Sequence, residues 1–171
     1  MDGITTSVFD LFKIGPGPSS SHTIGPMKAG FDFGRLAATL SEETQARATG
    51  VRVRLFGSLS ATGAGHGTDR AVLAGLLGQT PESCPPEFLD NLAANPKAEQ
   101  FMDLPGARVP ARAADVVFDR VEHAYPFQNT LVIALLAGEA VLLEREYYSV
   151  GGGFLQWKGW EPPERREPRF P

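Results

Sequence analysis

Cysteine is almost absent from this sequence, which holds a single one, Cys84, among 171 residues. One cysteine cannot form a disulfide within the chain, and by itself it cannot build a thiolate cage for a metal. It stands in the proline-bracketed segment T-P-E-S-C-P-P, without a neighbouring histidine or lysine that would lower the pKa of the thiol. We therefore interpret Cys84 as a free thiol rather than as a nucleophile or a cluster ligand.

Long hydrophobic runs and clusters of positive charge are also scarce. No apolar run approaches the roughly 20 residues that cross a bilayer, and the N-terminus carries Asp2 and Asp10 instead of a basic segment followed by an apolar one. The net charge is −4, and basic residues gather only in the tail, so the chain lacks the positive face that phosphate backbones need. We expect a cytoplasmic protein that binds neither nucleic acid nor membranes.

The remaining composition is that of a folded domain, with 42% hydrophobic and 21% charged residues, which is enough apolar material for one core. An approximate helical stripe after a run of serines predicts a capped helix at about residues 21–40. Apolar and polar residues alternate at residues 51–55, which predicts a strand that Gly57 ends. A mostly apolar run predicts a second helix near residues 69–77, with Gly78 as its C-cap.

The later part of the chain is dominated by predicted strands, at residues 115–121, 131–136 and 140–148, the last two joined by a tight hairpin connection. Before them, residues 79–113 contain six prolines, and we interpret this segment as variable and mostly peripheral, with a short helix at residues 87–94. The expected fold class is therefore α/β (α+β): a single layered domain with a mixed sheet and helices packed on it.

The two ends of the chain carry weaker signals. Apolar residues near the N-terminus predict a short helical turn or an apolar plug that ends at Ile14. After Phe154 the sequence turns to proline, glutamate, arginine and tryptophan without periodicity, which indicates a linker or tail. We expect one domain at residues 1–155 and a tail at residues 156–171.

Polar side chains gather in G-P-G-P-S-S-S-H-T-I-G-P-M, residues 15–27. Hydroxyls and a histidine stand there at the start of a predicted helix, where free backbone N–H groups and the helix dipole favour an anion. The segment either binds a carboxylate or phosphate, or caps the helix with one of its serines, and composition leaves both open. It is not a phosphate-binding P-loop, because no Gly-Lys-Ser/Thr follows.

A glycine-rich segment, G-S-L-S-A-T-G-A-G-H-G-T-D at residues 57–69, lies between the predicted strand and the second helix. We interpret it as a loop that places His66 and Thr68 at the carboxyl end of the sheet, where ligands usually bind in open α/β sheets. A histidine there can transfer protons near neutral pH, and glycines on both sides remove its packing partners. The alternative is a flexible turn with an exposed histidine.

Three adjacent glycines occur in Y-Y-S-V-G-G-G-F, residues 147–154. They form either a hinge towards another domain or a close approach to a ligand, and the hinge is the simpler interpretation. His123 has no chemical companion in the sequence, and we interpret it as structural or exposed.

Together these three segments resemble the motifs of the β domain of the bacterial iron–sulfur L-serine dehydratases (L-serine ammonia-lyases). The resemblance runs from about residue 7 to residue 154 and keeps the order of the motifs. It implies a lyase that converts L-serine to pyruvate and ammonia without pyridoxal phosphate. A [4Fe–4S] cluster, held by three cysteines of an α domain or subunit, would act as the Lewis acid. The near-absence of cysteine then fits a β part that is inactive alone.

The resemblance also implies roles for individual residues. His66 would transfer a proton at the shared active site, with Thr68 beside it. The residues turned towards the substrate carboxylate and the cluster would be Ser19, Ser20, Ser21, His22 and Thr23. No metal ligand is expected on this chain. The implied partners are L-serine and the cluster-binding α domain or subunit, towards which residues 156–171 would lead, in a homo- or hetero-oligomer.

One position departs from the family's pattern. The family usually shows a histidine and an asparagine after L-P or P-F, whereas this chain reads Y-P-F-Q-N-T-L, with Gln128 and Asn129 and one residue fewer. Gln128 does not titrate, and His123 lies too far upstream to be assumed a substitute. The departure therefore removes a titratable group from this position.

Two other interpretations remain open. The domain also resembles the allosteric substrate-binding domain of some D-3-phosphoglycerate dehydrogenases, which would make it a small-anion or serine-binding module without catalysis. The pairing of His66 with S-S-S-H-T distinguishes the two, because a binding module need not keep both. The third interpretation is a structural or interaction protein, which a cysteine-bearing partner chain would exclude.

Overall fold

The computed structural model describes residues 16–17 and 19–162 of the chain. The apolar segment predicted at residues 7–14 and residues 163–171 of the predicted tail lie outside the described residues. In the described part, helices pack against one mixed β-sheet, which confirms the α+β fold class expected from the sequence.

The helical elements begin with one turn of π-helix at Ser20–Ile24. They continue as α1 (Gly25–Ala37), α2 (Glu42–Ala46), α3 (Ser58–His66), α4 (Thr68–Leu76) and α5 (Pro86–Ala94). The strands are β1 (Gly50–Gly57), β2 (Gln100–Leu104), β3 (Ala107–Ala111), β4 (Val116–Phe118), β5 (Asn129–Ala137), β6 (Ala140–Ser149) and β7 (Leu155–Trp157). The helices predicted at residues 21–40, 69–77 and 87–94 and the strands predicted at residues 51–55, 131–136 and 140–148 are all present. The strand predicted at residues 115–121 is shorter.

The main sheet has the strand order β4-β1-β5-β6-β7, and β2 and β3 form a separate antiparallel hairpin. The pair β1–β4 is parallel, whereas the other neighbours in the main sheet are antiparallel. Val51, Val53 and Leu55 of β1 are buried, as the alternation predicts. The end of β1 and the start of β5 meet at Gly57 and Asn129, and this end of the sheet supports the candidate site.

Two glycines let α1 and α4 approach each other closely. A Cβ built on Gly75 would lie 2.0 Å from the carbonyl oxygen of Met27, and one built on Gly30 would lie 2.3 Å from the carbonyl oxygen of Val72. Real Cβ atoms do not reach such distances, so the two backbones are in direct contact. This contact fixes the positions of α1 and α4 relative to each other.

The interpretation of residues 79–113 as mostly peripheral is wrong. The hairpin of β2 and β3 contributes Met102, Val109 and Ala111 to the core, and all three side chains are buried. The proline content concealed the strands, because a residue without an N–H, such as Pro110, argues against a strand when only the sequence is known. A two-stranded hairpin tolerates a missing N–H, since each strand is an edge.

The prediction of a loop at residues 57–69 is also wrong, because most of this segment forms α3. Its glycines have low helix propensity. Its buried side consists only of Leu59, Ser60 and Gly63, so the sequence shows no apolar stripe that would predict a helix. Gly63 is needed in this helix, since a Cβ there would lie 2.9 Å from the Thr68 hydroxyl. Gly67 separates α3 from α4 in the left-handed conformation, with φ 67°.

The glycines at residues 151–153 form a closed turn rather than a hinge. The Val150 N–H donates to the Phe154 carbonyl oxygen at 3.2 Å, and the Phe154 N–H donates to the Gly151 carbonyl oxygen at 2.9 Å. The chain then enters β7, which pairs with β6. The sheet therefore continues past the boundary expected at residue 155, and residues 155–157 are not an irregular tail.

Candidate functional site

The segment predicted to bind an anion starts with a π-helical turn, in which the Gly25 N–H donates to the Ser20 carbonyl oxygen. The Ser19 hydroxyl caps this turn by accepting from the His22 N–H at 3.2 Å. On its other side the Ser21 carbonyl oxygen accepts from the Ser149 hydroxyl at 2.8 Å. Wide turns of this kind are rare and occur frequently at functional sites. Ser19 thus performs the capping role expected from the sequence.

His22 is buried, with 9% of its surface exposed, and hydroxyls surround its ring. Its Nδ1 lies 2.9 Å from the Ser21 hydroxyl. Its Nε2 lies 3.0 Å from the Thr62 hydroxyl, 3.1 Å from the Ser58 hydroxyl and 3.2 Å from the Ser58 carbonyl oxygen. Because a carbonyl oxygen only accepts, this network assigns the ring proton to Nε2, and Nδ1 accepts from the Ser21 hydroxyl.

The surroundings of His22 favour its neutral form. Burial lowers the pKa of His22, the hydrogen bond to the Ser58 carbonyl oxygen raises it in part, and the positive charge that His66 can carry lowers it again. At neutral pH the buried ring is therefore uncharged, and it holds its neighbours in place through hydrogen bonds.

The pKa of His22 makes the stability of the fold depend on pH. In the unfolded chain a histidine titrates near pH 6.5, whereas in the fold the pKa of His22 is lower. Between the two values the unfolded chain binds more protons, so this contribution to stability is complete above about pH 6.5 and declines as the pH falls below it. Urea unfolding from about pH 7.5 down to about pH 5.5 should show this loss. The variant His22→Asn should show a smaller slope, and an equal slope in both proteins would contradict the assignment.

His66, at the end of α3, is half-buried and lies beside His22. The two ring centroids are 4.9 Å apart, and the ring planes are inclined at 41°. His66 Nδ1 donates to the Thr62 carbonyl oxygen at 2.9 Å, so in the neutral ring Nε2 carries the free lone pair. Among the described residues, no hydrogen bond to Nε2 is present. His66 therefore has the tautomer that a proton acceptor requires.

A cavity of about 220 Å³ opens beside His66 and carries charged side chains of both signs. Its walls are formed by Pro16, Gly17, His66, Gly67, Arg70, Pro86, Leu89 and Asp90. Arg70 and Asp90 supply the two opposite charges of these walls.

Thr23 and Thr68 connect the two histidines through the backbone. The Thr23 hydroxyl donates to the His66 carbonyl oxygen at 3.2 Å, and the Thr68 hydroxyl donates to the His22 carbonyl oxygen at 2.7 Å. Both threonine side chains are fully buried. The structure thus brings together all the predicted site residues but places Thr23 and Thr68 in the interior, where they hold the histidines in position.

Two side chains that contact His22 were not predicted from the sequence. They are Ser58 and Thr62. A signal for them was present, because Ser58, Thr62 and His66 are spaced by four residues and share one face of a helix. Interpreting residues 57–69 as a loop hid this pattern. Ser149 was missed as well, since its contact with the π-helical turn spans 128 positions in the chain.

The segment around Gln128, where the sequence departs from the family's pattern, supports the site through its backbone. The Gln128 carbonyl oxygen accepts from the Ser58 N–H at 2.8 Å, at the start of α3, while the Gln128 side chain is exposed. The Asn129 side chain donates to the Ser149 carbonyl oxygen at 3.3 Å. His123 packs against Phe56 and Tyr125, whose rings also contact each other, which agrees with a structural role.

Comparison with known proteins connects this geometry to a family. The model of the family described as Serine dehydratase beta chain matches residues 7–160. The chain belongs to this family. The match includes the π-helical turn, which carries His22, and α3, which carries His66.

The curated relatives that this chain matches are named L-serine dehydratases. The chain is 44% identical over 152 residues to the L-serine dehydratase of Streptomyces coelicolor and 40% identical over 159 residues to L-serine dehydratase 2 of Escherichia coli. In both cases the match covers 87% of this chain and 33% of the relative. The L-serine dehydratase of Helicobacter pylori is 39% identical over 158 residues. The chain thus spans about a third of the length of the curated relatives it matches.

The described residues of this chain do not provide a set of ligands for a metal cluster. No group of three or more His, Cys, Asp or Glu side chains that could hold a metal occurs among residues 16–17 and 19–162. Cys84 is buried and not in a disulfide, and burial raises the pKa of its thiol, which disfavours a thiolate.

None of the helices in the described residues combines the length and the apolar character needed to cross a bilayer.

Proposed function

We propose that this chain is the β part of an L-serine ammonia-lyase, which converts L-serine to pyruvate and ammonia, and that His66 is its proton-transfer group. The observation that carries the proposal is the state of the His66 ring. Nδ1 is bound to the Thr62 carbonyl oxygen, which leaves Nε2 as the acceptor of a ring that belongs to a cavity-lining residue. The names of the relatives and the match to the family model support the same activity.

In the proposed reaction, His66 Nε2 takes the α-proton of L-serine. The hydroxyl group leaves from Cβ with its bonding electrons and takes up a proton, so it departs as water. The resulting enamine tautomerises to an imine, and hydrolysis of the imine gives pyruvate and ammonia. A positioned base of this kind contributes about 10²- to 10⁴-fold to a rate. His22 supports the step because it is neutral, so the imidazolium formed on His66 has no second positive ring 4.9 Å away.

We assign the substrate carboxylate to the side of the π-helical turn where Ser19, Ser20 and Ser21 are half-buried. The Ser19 hydroxyl accepts from the His22 N–H, so its own proton remains available for an anion. The Ser21 hydroxyl donates to His22 Nδ1 and so fixes the ring beneath the serines. His22 and Thr23 are buried beneath them and hold the turn. Such preorganised donors act without a reorganisation cost when charge arrives.

The [4Fe–4S] cluster belongs, in this proposal, to an α domain or subunit that corresponds to the part of the relatives outside the match. The described residues here offer no ligand set for it, so this chain alone should be inactive. A single cysteine suits a reducing compartment, and we place the assembled enzyme in the cytoplasm.

The proposal is tested by a chimera in which this chain replaces the matched region of the Streptomyces coelicolor L-serine dehydratase. After anaerobic cluster loading, the chimera should form pyruvate from L-serine, with the unmodified relative as the positive control. This chain alone should form none. A cluster-loaded chimera without activity would contradict the proposal, and serine binding by such a chimera would favour the non-catalytic binding module.

A further inference from the structure

A cavity of about 480 Å³ opens where the parallel strands β1 and β4 have their carboxyl ends, and we call it the strand-end cavity. On one side it is lined by Gly57, Ser60 and Ala61, which belong to the end of β1 and the first turn of α3. On the other side it is lined by residues 119–121, which follow β4. Ligands of open α/β sheets bind outside the carboxyl ends of the strands, so this position favours a ligand site.

The strand-end cavity is separate from the site of the proposed proton transfer. Ser58 and Thr62, which contact His22, lie one turn apart on one face of α3. Ser60 lies two positions from each of them, and residues two positions apart do not share a helix face. The strand-end cavity and the cavity beside His66 have no lining residue in common. The first therefore belongs to the start of α3 and the second to its end.

The start of α3 presents backbone N–H groups without a side-chain cap. The N-cap residue is Gly57, which has no side chain that could accept a hydrogen bond. The Ser58 N–H donates to the Gln128 carbonyl oxygen at 2.8 Å. The N–H groups that follow in the first turn of a helix have no partner within the helix, and together with the helix dipole they favour an anion.

A buried hydroxyl without a partner lies in the same turn. Ser60 is 6% exposed, and its hydroxyl makes no hydrogen bond with the residues that the structure describes. Buried polar groups in folded proteins almost always have a partner, so an unpaired one indicates a group outside the chain that completes it. Because Ser60 lines the strand-end cavity, a ligand in this cavity is the acceptor that its hydroxyl lacks.

The uncompensated charge of the cavity walls is positive. Arg120 lines the cavity and is exposed, and it forms no ion pair within residues 16–17 and 19–162. The acidic lining residue, Asp119, is already paired with Arg54 and also accepts from the Val121 N–H at 3.4 Å. The negative charge of Asp119 is therefore compensated, whereas the Arg120 guanidinium remains for an anion.

We propose that the strand-end cavity binds a phosphate group through the first-turn N–H groups of α3, the Ser60 hydroxyl and the Arg120 guanidinium. Phosphate suits these donors because its oxygens accept hydrogen bonds from N–H groups, a hydroxyl and a guanidinium at the same time. The volume of about 480 Å³ also admits a small phosphorylated metabolite, so the phosphate is either free or part of such a molecule. This inference goes beyond the proposed function, since it requires neither the cluster nor the lyase reaction.

Binding is tested with this chain by isothermal titration calorimetry at constant ionic strength, with inorganic phosphate and with glycerol 3-phosphate. The unaltered chain should show saturable binding at one site. Arg120→Gln should weaken it about tenfold, because a charge-assisted hydrogen bond is lost, and Ser60→Ala about fivefold, because a neutral one is lost. Arg47→Gln is the matched control, since Arg47 is exposed and precedes the opposite end of β1. Its Kd should stay within twofold.

Two further measurements locate the ligand. In two-dimensional ¹H–¹⁵N NMR spectra, phosphate should shift the amide signals of Leu59 and Ser60 and leave those of residues 20–24 in place. Without phosphate, Ser60→Ala should melt at a temperature no lower than that of the unaltered chain, because the hydroxyl that it removes has no partner in the fold.

Each outcome decides the inference. Absence of saturable binding, or equal losses in Arg120→Gln and Arg47→Gln, would overturn it. Shifts at residues 20–24 in place of Leu59 would assign the anion to the π-helical turn, and a lower melting temperature of Ser60→Ala would show that its hydroxyl is bound within the fold. Either result would overturn the inference as well. Tighter binding of glycerol 3-phosphate would support a phosphorylated metabolite as the ligand, whereas equal or tighter binding of inorganic phosphate would support free phosphate.

Discussion

Replacing His66 by alanine is expected to lower kcat for pyruvate formation by about 10²- to 10⁴-fold in the chimera, because the α-proton loses its acceptor. The substitution leaves the π-helical turn intact, since the contact from Thr23 is made to the backbone carbonyl of residue 66. Steady-state kinetics with L-serine would measure the change, and the melting temperature would confirm that the chain remains folded.

Two variants make this result specific. His66→Asn places an amide N–H at the position of Nδ1, so it can still donate to the Thr62 carbonyl oxygen, but it cannot accept a proton at neutral pH and should be as impaired as His66→Ala. His123→Ala removes another half-buried histidine that packs against Phe56, and its kcat should stay near that of the unaltered chimera. Near-normal kcat in His66→Ala would limit His66 to a positioning role.

Replacing Gly75 by alanine is expected to destabilise the fold by about 3 kcal/mol or more, because the new methyl group forces α1 and α4 apart. The Cβ would lie 2.0 Å from the Met27 carbonyl oxygen and 2.8 Å from the Phe31 backbone nitrogen, and neither backbone atom can move independently of its helix. For a chain of this size the melting temperature should fall by roughly 6–12 °C. Thermal unfolding followed by circular dichroism would show it.

Gly34 provides the matched control on the same helix pair. A Cβ there would lie 3.8 Å from Met102 Sδ and 3.9 Å from the Leu76 carbonyl oxygen, which are ordinary contact distances. Because alanine loses less backbone entropy than glycine, Gly34→Ala should stabilise the helix by about 0.5–1 kcal/mol. Similar melting temperatures for Gly75→Ala and the unaltered chain would show that the helices are farther apart than described.

The parts of the fold that the sequence predicted are those with regular apolar spacing. β1 alternates, and α4 is apolar along most of its length, so both were found close to their observed bounds. α3 was not found, because its buried face is made by Leu59 and small residues. The β2–β3 hairpin was hidden by Pro110, whose cost is low only once the strand is known to be an edge.

The candidate site was predicted in its residues but not in its architecture. His22, His66 and the serines were identified from their chemistry. The contacts of His22 with Ser58 and Thr62 link positions 36 and 40 residues apart, and no local pattern encodes which face of one helix meets another. The burial of Thr23 and Thr68 likewise follows from packing, so their role as supports was not visible in the sequence.

The crossed threonine hydrogen bonds have a mechanical consequence. Each hydroxyl belongs to a segment next to one histidine and is bound to the carbonyl group of the other. A displacement of α3 therefore pulls on the turn before α1, and a displacement of that turn pulls back on α3. The backbones at the two histidines are thereby tied together, so a rearrangement that shifts the backbone of His66 also acts on that of His22.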